Sequence, residues 1–357
     1  MRNVDTTETY SREIDIKNTE KLRELMAELP KFCRQFFRGI TENTGTRTRL
    51  AYAYDLRVFF EYLHENHPEY KDREISSFPL SILEELQKED LEEYMEYLTY
   101  YEKNGKVYTN DERGKARKLS AIRSMYKYFY RSELIEKDTS ALIATPKMHE
   151  KAIIRLDQDE VGTLLNEVEN GDSLSKSQQK FHDKTAVRDT AMMTLLLGTG
   201  IRVSECVGLD LQDLDLKNNG IKVHRKGGYD AIVYFGDEVS EALQAYLDER
   251  HLIMAADGSE NALFLSLQHK RISVRAVEKL VKKYASLVTT MKKITPHKLR
   301  STYGTALYRE TGDIYLVADV LGHKDVNTTR KHYAAIEEDR RKSAANIVRL
   351  KKESSGS

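Results

Sequence analysis

The chain reads as mainly α: a helical bundle followed by a mixed, mostly α domain that carries a small antiparallel β-sheet. Three observations lead there. Apolar residues recur near a 3.6-residue period through the first 150 residues, a single stretch, "GIKVHRKGGYDAIVYF", alternates with period two around a glycine pair, and helical periodicity resumes after it. A length of 357 residues suits two domains, each able to bury its own core. The proline-bearing, aperiodic "ATPKMHEKA" from Ala144 to Ala152 is where they divide, giving domains at 1–145 and 153–357 and a linker at 146–152.

Taken in order, "TRTRLAYAYDLRVFFEYLHE" repeats apolar residues at Leu50, Tyr54, Phe59 and Leu63, and "KLSAIRSMYKYFYRSELI" at Leu119, Ile122, Met125 and Phe129, so both are expected as amphipathic helices and the first 150 residues as almost entirely helical. After the linker "DQDEVGTLLNEVEN" is a helix and "GDSLSKSQQKFHDK" a polar loop. Gly198 and Gly200 break the long apolar helix "AVRDTAMMTLLLGTG" directly before Arg202. In the strand pair Ile221 and Val223 alternate with polar partners, and Gly227 and Gly228 supply a tight turn with Lys226 at the tip. Helices follow at "SVRAVEKLVKKYASLV", at "TPHKLRSTYGT", at "DIYLVADVLG" and from about Asn327.

The segment "TPHKLRSTYGT" carries chemistry. Thr295 is placed to cap, and Pro296 fits the first helical position, where its missing N–H costs nothing. His297 and Arg300 then share a face in the first turn and are expected to look outward, while Leu299, Tyr303 and Ala306 dock on the core. A helix N-terminus with a cation and a histidine suits an anion, most simply a phosphate.

Charge narrows the class. Lysines and arginines number 57 and so do the acids, which argues against a uniformly basic nucleic-acid binder. The charges are segregated, however: Lys106, Arg113, Lys115, Arg117, Lys118, Arg123, Lys127 and Arg131 crowd one stretch, interleaved with the tyrosines of "MYKYFYR", whereas Glu84 to Glu96 is acidic. Such a stretch can combine apolar docking with phosphate contact. Cys33 and Cys206 are isolated, pointing to buried apolar roles, a reducing cytoplasm and no disulfide. His297, His323 and His332 lack an i, i+4 ligand pair, so no metal is expected. No apolar run reaches the roughly 18 residues of a membrane span.

In chain order, "GTGIRVSE", "RKGG", "HKLR", "LGH" and the late tyrosine of "TTRKHYAAI" together resemble the catalytic domain of the tyrosine recombinases, the phage-integrase family. "TRLAYAYDLRVFFEYL" and "RKLSAIRSMYKYFYRSELI" stand where the family's core-binding domain has its DNA-contacting helices, so 1–145 is expected to be that domain, with Arg47, Arg49, Arg117, Lys118, Arg123 and Lys127 on DNA. Length, "SFPLSILEELQKEDLEEYMEYL" and "ALFLSL" look most similar to the single-protein Xer recombinases of Firmicutes. The resemblance implies Arg202 and Arg300 as phosphate-clamping arginines, Glu205 as support for Arg202, Lys226 as the hairpin lysine, His297 and His323 as the histidines, and Tyr333 as nucleophile, with neither metal nor nucleotide cofactor. It further implies double-stranded DNA with inverted-repeat arms as substrate, a homo-tetramer on two sites, a nucleoid-associated cytoplasmic location, and room for an accessory protein. Two features depart from the common pattern. His332 occupies the ninth position after His323, with Tyr333 the tenth, and Ser301 replaces the second histidine of "HxLRH".

Two rival readings share these residues: a type IB topoisomerase, relaxing DNA as a monomer, and a non-catalytic DNA-binding accessory protein, for which a retained nucleophile would be idle. The tail separates recombinase from topoisomerase, since "IEEDRRKSAANIVRL" has apolar Ile336, Ala344, Ile347 and Leu350, enough to dock on a neighbouring protomer. Deleting the chain from Glu337 onward is expected to spare folding and single-site binding but abolish recombination between two sites. Recombination and supercoil relaxation measured on the same truncated protein check this, and full recombination would exclude the tail as the assembly element.

Overall fold

The computed structural model describes residues 10–71, 73–149, 154–225 and 229–323. The chain forms two compact units that divide between Lys151 and Ala152. In the first, α1 (Tyr10–Leu25), α2 (Cys33–Gly39), α3 (Thr46–Asn66), α4 (Ile82–Glu85), α5 (Lys88–Tyr97) and α6 (Glu112–Arg131) enclose one core. Leu119, Ile122, Met125 and Phe129 of α6 are all buried, as their spacing predicts, and Phe32 packs edge-on against Phe60 and Phe129 at 5.9 and 5.6 Å. On α3 the buried stripe is Ala53, Leu56, Phe59, Phe60 and Leu63. Tyr54 instead faces out beneath the Arg57 guanidinium, 5.3 Å from its ring centroid.

This unit is less purely helical than expected. Strands β1 (Tyr100–Lys103) and β2 (Lys106–Thr109) form an antiparallel hairpin. Its turn is Asn104-Gly105, both at positive φ (52° and 68°), the pairing that lets two strands keep their twist through a two-residue loop. Every residue of β2 is exposed, so no hydrophobic alternation announces it; Tyr97, Tyr101 and Tyr108 hold the hairpin by ring stacking.

A buried carboxylate organises part of the basic stretch. Asp55 on α3 is 2% exposed and accepts a hydrogen bond from Arg117. Burial pushes its pKa up, opposed by the charges of Arg117 and Lys118. Lys118 is itself buried, its Nζ donating to Asn110 Oδ1 at 2.8 Å, which corrects its expected place on DNA: the ammonium is drawn inward because Asp55 needs a counter-charge. Arg123 is half-buried, donating to the carbonyls of Ser140 and Ile143 and to Thr145 Oγ1, so it ties α6 to the chain leaving the unit. Arg49 is half-buried and donates to Thr41 Oγ1 at 3.1 Å. Arg47, Arg117 and Lys127 are exposed.

The second unit contains α7 (Gln158–Asn170), α8 (Lys176–His182), α9 (Ala186–Thr199), α10 (Val203–Val207), β3 (Leu214–Asp215), β4 (Gly220–Arg225), β5 (Tyr229–Tyr234), α11 (Asp237–Arg250), α12 (Val274–Val288), α13 (Pro296–Thr311) and α14 (Ile314–Leu321). The strands form one antiparallel sheet in the order β3-β4-β5, with Ile221 opposite Val233 and Arg225 opposite Tyr229. The expected polar loop contains α8, because Ser175 and Gln178 close a reciprocal capping box that starts a helix among polar residues. Helix α9, apolar nearly all round, is the central rod; it runs through Gly198 and ends at Gly200. Cys33 and Cys206 are fully buried, and burial pushes the Cys206 thiol up to about 12. Among the described residues no helix is long and apolar enough to cross a membrane. Lys226, the Gly227-Gly228 turn, Tyr333 and the helix expected from about Asn327 lie outside the described residues.

Asp55→Ala would leave Lys118 charged and buried without its counter-ion. A loss of about 3 kcal/mol is expected in urea unfolding, the lower end for a broken buried pair because Arg117 is half exposed, whereas Lys118→Met should be close to neutral. Equal losses from both would mean that packing and not charge holds this corner.

Candidate active site

The candidate site is assembled on the C-terminal end of α14, where a helix leaves its last carbonyls unpaired. Gly322 adopts the left-handed conformation (φ 62°) and closes the helix: its N–H donates to Asp319 O at 2.8 Å and the N–H of His323 to Ala318 O at 2.8 Å. The remaining carbonyls, of Val320, Leu321 and Gly322, are taken by arginines from three distant parts of the sequence, one of which also shares Asp319 O. Arg225 Nη2 donates to Val320 O at 2.7 Å and its Nη1 to Asp319 O at 3.2 Å. Arg300 Nη2 donates to Leu321 O, and Arg202 Nη2 donates to Gly322 O at 3.2 Å. Each carbonyl from Ala318 to Gly322 thus has a donor, and three cations sit at the negative end of the helix dipole.

Local structure aims each arginine. Arg202 follows the turn at Gly200 and is the N-cap residue of α10; Glu205, one turn on, accepts from both the Arg202 backbone N–H and its Nη1, each at 2.7 Å. The Glu205 side chain is 4% exposed, so the carboxylate is a fixed counter-charge. Thr295 and Pro296 open α13 as expected, although the Thr295 side chain makes no capping bond and its carbonyl receives the N–H groups of Lys298 and Leu299. Arg300 does not look outward. It is 5% exposed, and its Nη1 donates to Gly200 O at 2.6 Å, so the guanidinium spans from the end of α9 to the end of α14. The buried face of α13 is Pro296, Leu299, Arg300, Thr302, Gly304, Thr305 and Tyr308; Ala306 is exposed. His297 stays exposed on the same turn as Arg300.

Of the residues expected here, Arg202, Glu205, Arg300 and His323 meet around the end of α14, and His297 lies one turn of α13 from Arg300. Arg225 is the addition; its signal in the sequence is the doubled cation of "HRKGG", read there only for Lys226. Tyr303 packs on Gly200, and burial raises its pKa. Among the described residues no group of three or more metal-ligating side chains forms. With three guanidiniums against one carboxylate, the arrangement favours an anion, and one held by planar forks.

Residues 154–340 match the phage integrase family. A tyrosine recombinase XerD of Oceanobacillus iheyensis is 32% identical over 261 residues, covering 68% of this chain and 84% of that protein. A tyrosine recombinase XerC of Caldanaerobacter subterraneus subsp. tengcongensis is 32% identical over 312 residues, 85% of this chain and 82% of that one. Among solved structures, XerH site-specific recombinase in a post-cleavage complex with palindromic difH substrate aligns at TM-score 0.66 and 21% identity, covering 94% of each chain, a likeness of fold.

Glu205→Ala removes the acceptor of two hydrogen bonds from Arg202. A stability loss of about 2 kcal/mol is expected by urea unfolding, the scale for hydrogen bonds to a charged group in a largely buried place. An unchanged midpoint would mean that Arg202 is held by Gly322 alone.

Proposed function

The chain belongs to the phage integrase family and is a site-specific tyrosine recombinase, which cleaves and rejoins DNA, and from that premise we propose that Arg202 and Arg300 clamp the scissile phosphate. The single observation that supports this most is the convergence of the two arginines on the adjacent carbonyls of Gly322 and Leu321, with His323 next in the chain. Bonds to carbonyls orient the plane of a guanidinium, whose fork of N–H groups matches the non-bridging oxygens of a phosphate. As attack makes phosphorus pentacoordinate, charge grows on those oxygens, and donors already fixed in place stabilise it without reorganising.

In this reading Tyr333 yields its phenolic proton to a histidine of the site, attacks phosphorus through the oxygen and forms a 3′-phosphotyrosyl bond, while the 5′ oxygen leaves and takes a proton from Lys226. His297 and His323 flank the phosphate, and Glu205 steadies Arg202. The phosphotyrosyl bond conserves the energy of the one broken, so a new 5′-hydroxyl can reverse the step with no metal or nucleotide. The first unit serves as the core-binding domain, with Arg47, Arg117 and Lys127 meeting backbone phosphates and Arg49 and Arg123 bracing it; the exposure of the first three supports this division. Four protomers assemble on two inverted-repeat sites in the cytoplasm, for chromosome-dimer resolution or movement of a mobile element, with or without an accessory protein.

Tyr333→Phe is expected to bind DNA as the wild type does and form no covalent adduct, because only the attacking oxygen is lost. Arg202→Ala and Arg300→Lys are expected to slow cleavage by roughly a hundredfold or more with a smaller effect on affinity. Gel-shift titration and covalent-complex trapping separate the two quantities. An adduct surviving in Tyr333→Phe would move the nucleophile elsewhere, and equal losses of binding and cleavage would make the arginines ordinary phosphate anchors.

A further inference from the structure

We propose that Arg225 is a positioning residue for the cleavage site: it holds the carbonyl end of α14 so that Leu321 and Gly322 present a fixed seat to Arg300 and Arg202. The inference rests on the phosphate-clamp reading of those two arginines.

The geometry is specific to this contact. Arg225 is the last residue of β4, and its two terminal nitrogens reach consecutive carbonyls, Asp319 O and Val320 O, directly before the carbonyls of Leu321 and Gly322 that Arg300 and Arg202 hold. Its guanidinium also fills the space where residue 322 would carry a side chain. A Cβ added to Gly322 would lie 2.1 Å from Arg225 Nη1 and 2.6 Å from its Cζ, too close for either to stay in place. The glycine is therefore required twice, by its left-handed backbone and by the cation lying over it.

Stability does not explain this choice of residue. Arg202 and Arg300 already bring two positive charges to this helix end, and a third is repelled by both. The Arg225 Nε is buried and has no hydrogen-bond partner among the described residues, a cost that a neutral or shorter donor would avoid. What a long planar cation supplies is a rigid two-point grip, plus more positive potential where an anion is to bind. The grip matters because Gly322 O is the acceptor that orients Arg202. If the last turn of α14 frays, Arg202 loses its reference and His323 its place, with the phosphate still attracted but no longer aligned. Misplacement by about 1 Å can slow a reaction roughly a hundredfold while binding survives.

The test uses full-length protein and a nicked duplex recovered from a random-sequence pool by covalent trapping with the wild type. Arg225→Ala is expected to lower the single-turnover cleavage rate about tenfold or more, with affinity for that duplex within about twofold of wild type. Arg225→Lys, able to bond one carbonyl but not bridge two, should recover part of the rate. Gly322→Ala, which forces the guanidinium away, should reproduce the defect, and the double variant Arg225→Ala with Gly322→Ala should lose no more than about twofold beyond the worse single change, since both break one contact. A wild-type cleavage rate in Arg225→Ala, parallel losses of rate and affinity, or additive losses in the double variant would each overturn the role. Should Arg225→Ala fail to fold, the rate and affinity of Arg225→Lys decide by the same criteria. Arg202→Ala is measured alongside. If it cleaves normally, the clamp reading fails and the role of Arg225 with it; if it is inactive while Arg225→Ala cleaves at the wild-type rate, only the role of Arg225 fails.

Discussion

The hydrogen-bonding debt of one helix end organises the second unit. Helix α14 is eight residues long and stops at a left-handed glycine, and its closing turn satisfies Ala318 O and Asp319 O but not the carbonyls of Val320, Leu321 and Gly322. They are satisfied by Arg225 from the sheet, Arg300 from α13 and Arg202 from the start of α10. Because Arg300 also bonds Gly200 O at the end of α9, the central rod of the unit is stitched to the same place. Removing the acceptors would leave one buried and two half-buried cations without these partners, each at a desolvation cost; supplying them makes a cluster of like charges tolerable.

That solution has a chemical by-product. Cations held by neutral backbone dipoles keep their charge, unlike cations neutralised by carboxylates, and Glu205 is the one carboxylate found bonding to these three among the described residues. In the proposed reading, donors held in this way are the condition under which a phosphorane is stabilised without reorganising solvent or side chains.

The first unit solves the opposite problem. There a carboxylate, Asp55, is buried, and it draws one lysine of the basic stretch inward while leaving Arg117 half exposed beside it. A run of cations in sequence is thus sorted by a single buried acid into interior and surface members. Arg123 is sorted in a third way, to backbone carbonyls at the exit of the unit. The number of lysines and arginines in such a run is therefore a poor measure of how many phosphates it can meet.

Much was legible from the sequence alone. Helical period placed α3, α6, α12, α13 and α14, the period-two stretch placed β4 and β5, and the order of short motifs marked Arg202, Glu205, Arg300 and His323 as a set. Local signals decide such things because caps, turns and amphipathic faces are written within a few residues of where they act. The sequence also contained the Asn104-Gly105 turn and the Ser175 cap, strong local signals overridden by a reading of their surroundings as helix and loop. What only the tertiary structure decided is where long polar side chains end. Lys118, Arg123, Arg225 and Arg300 each carry a flexible stem that reaches several residues' distance in any direction, and their destinations are the Asp55 carboxylate and Asn110 amide for Lys118 and backbone carbonyls of other segments for the arginines. The direction of Arg300, inward across the helix ends instead of outward from α13, follows from unpaired carbonyls at Gly200 and Leu321 that no pattern around residue 300 encodes.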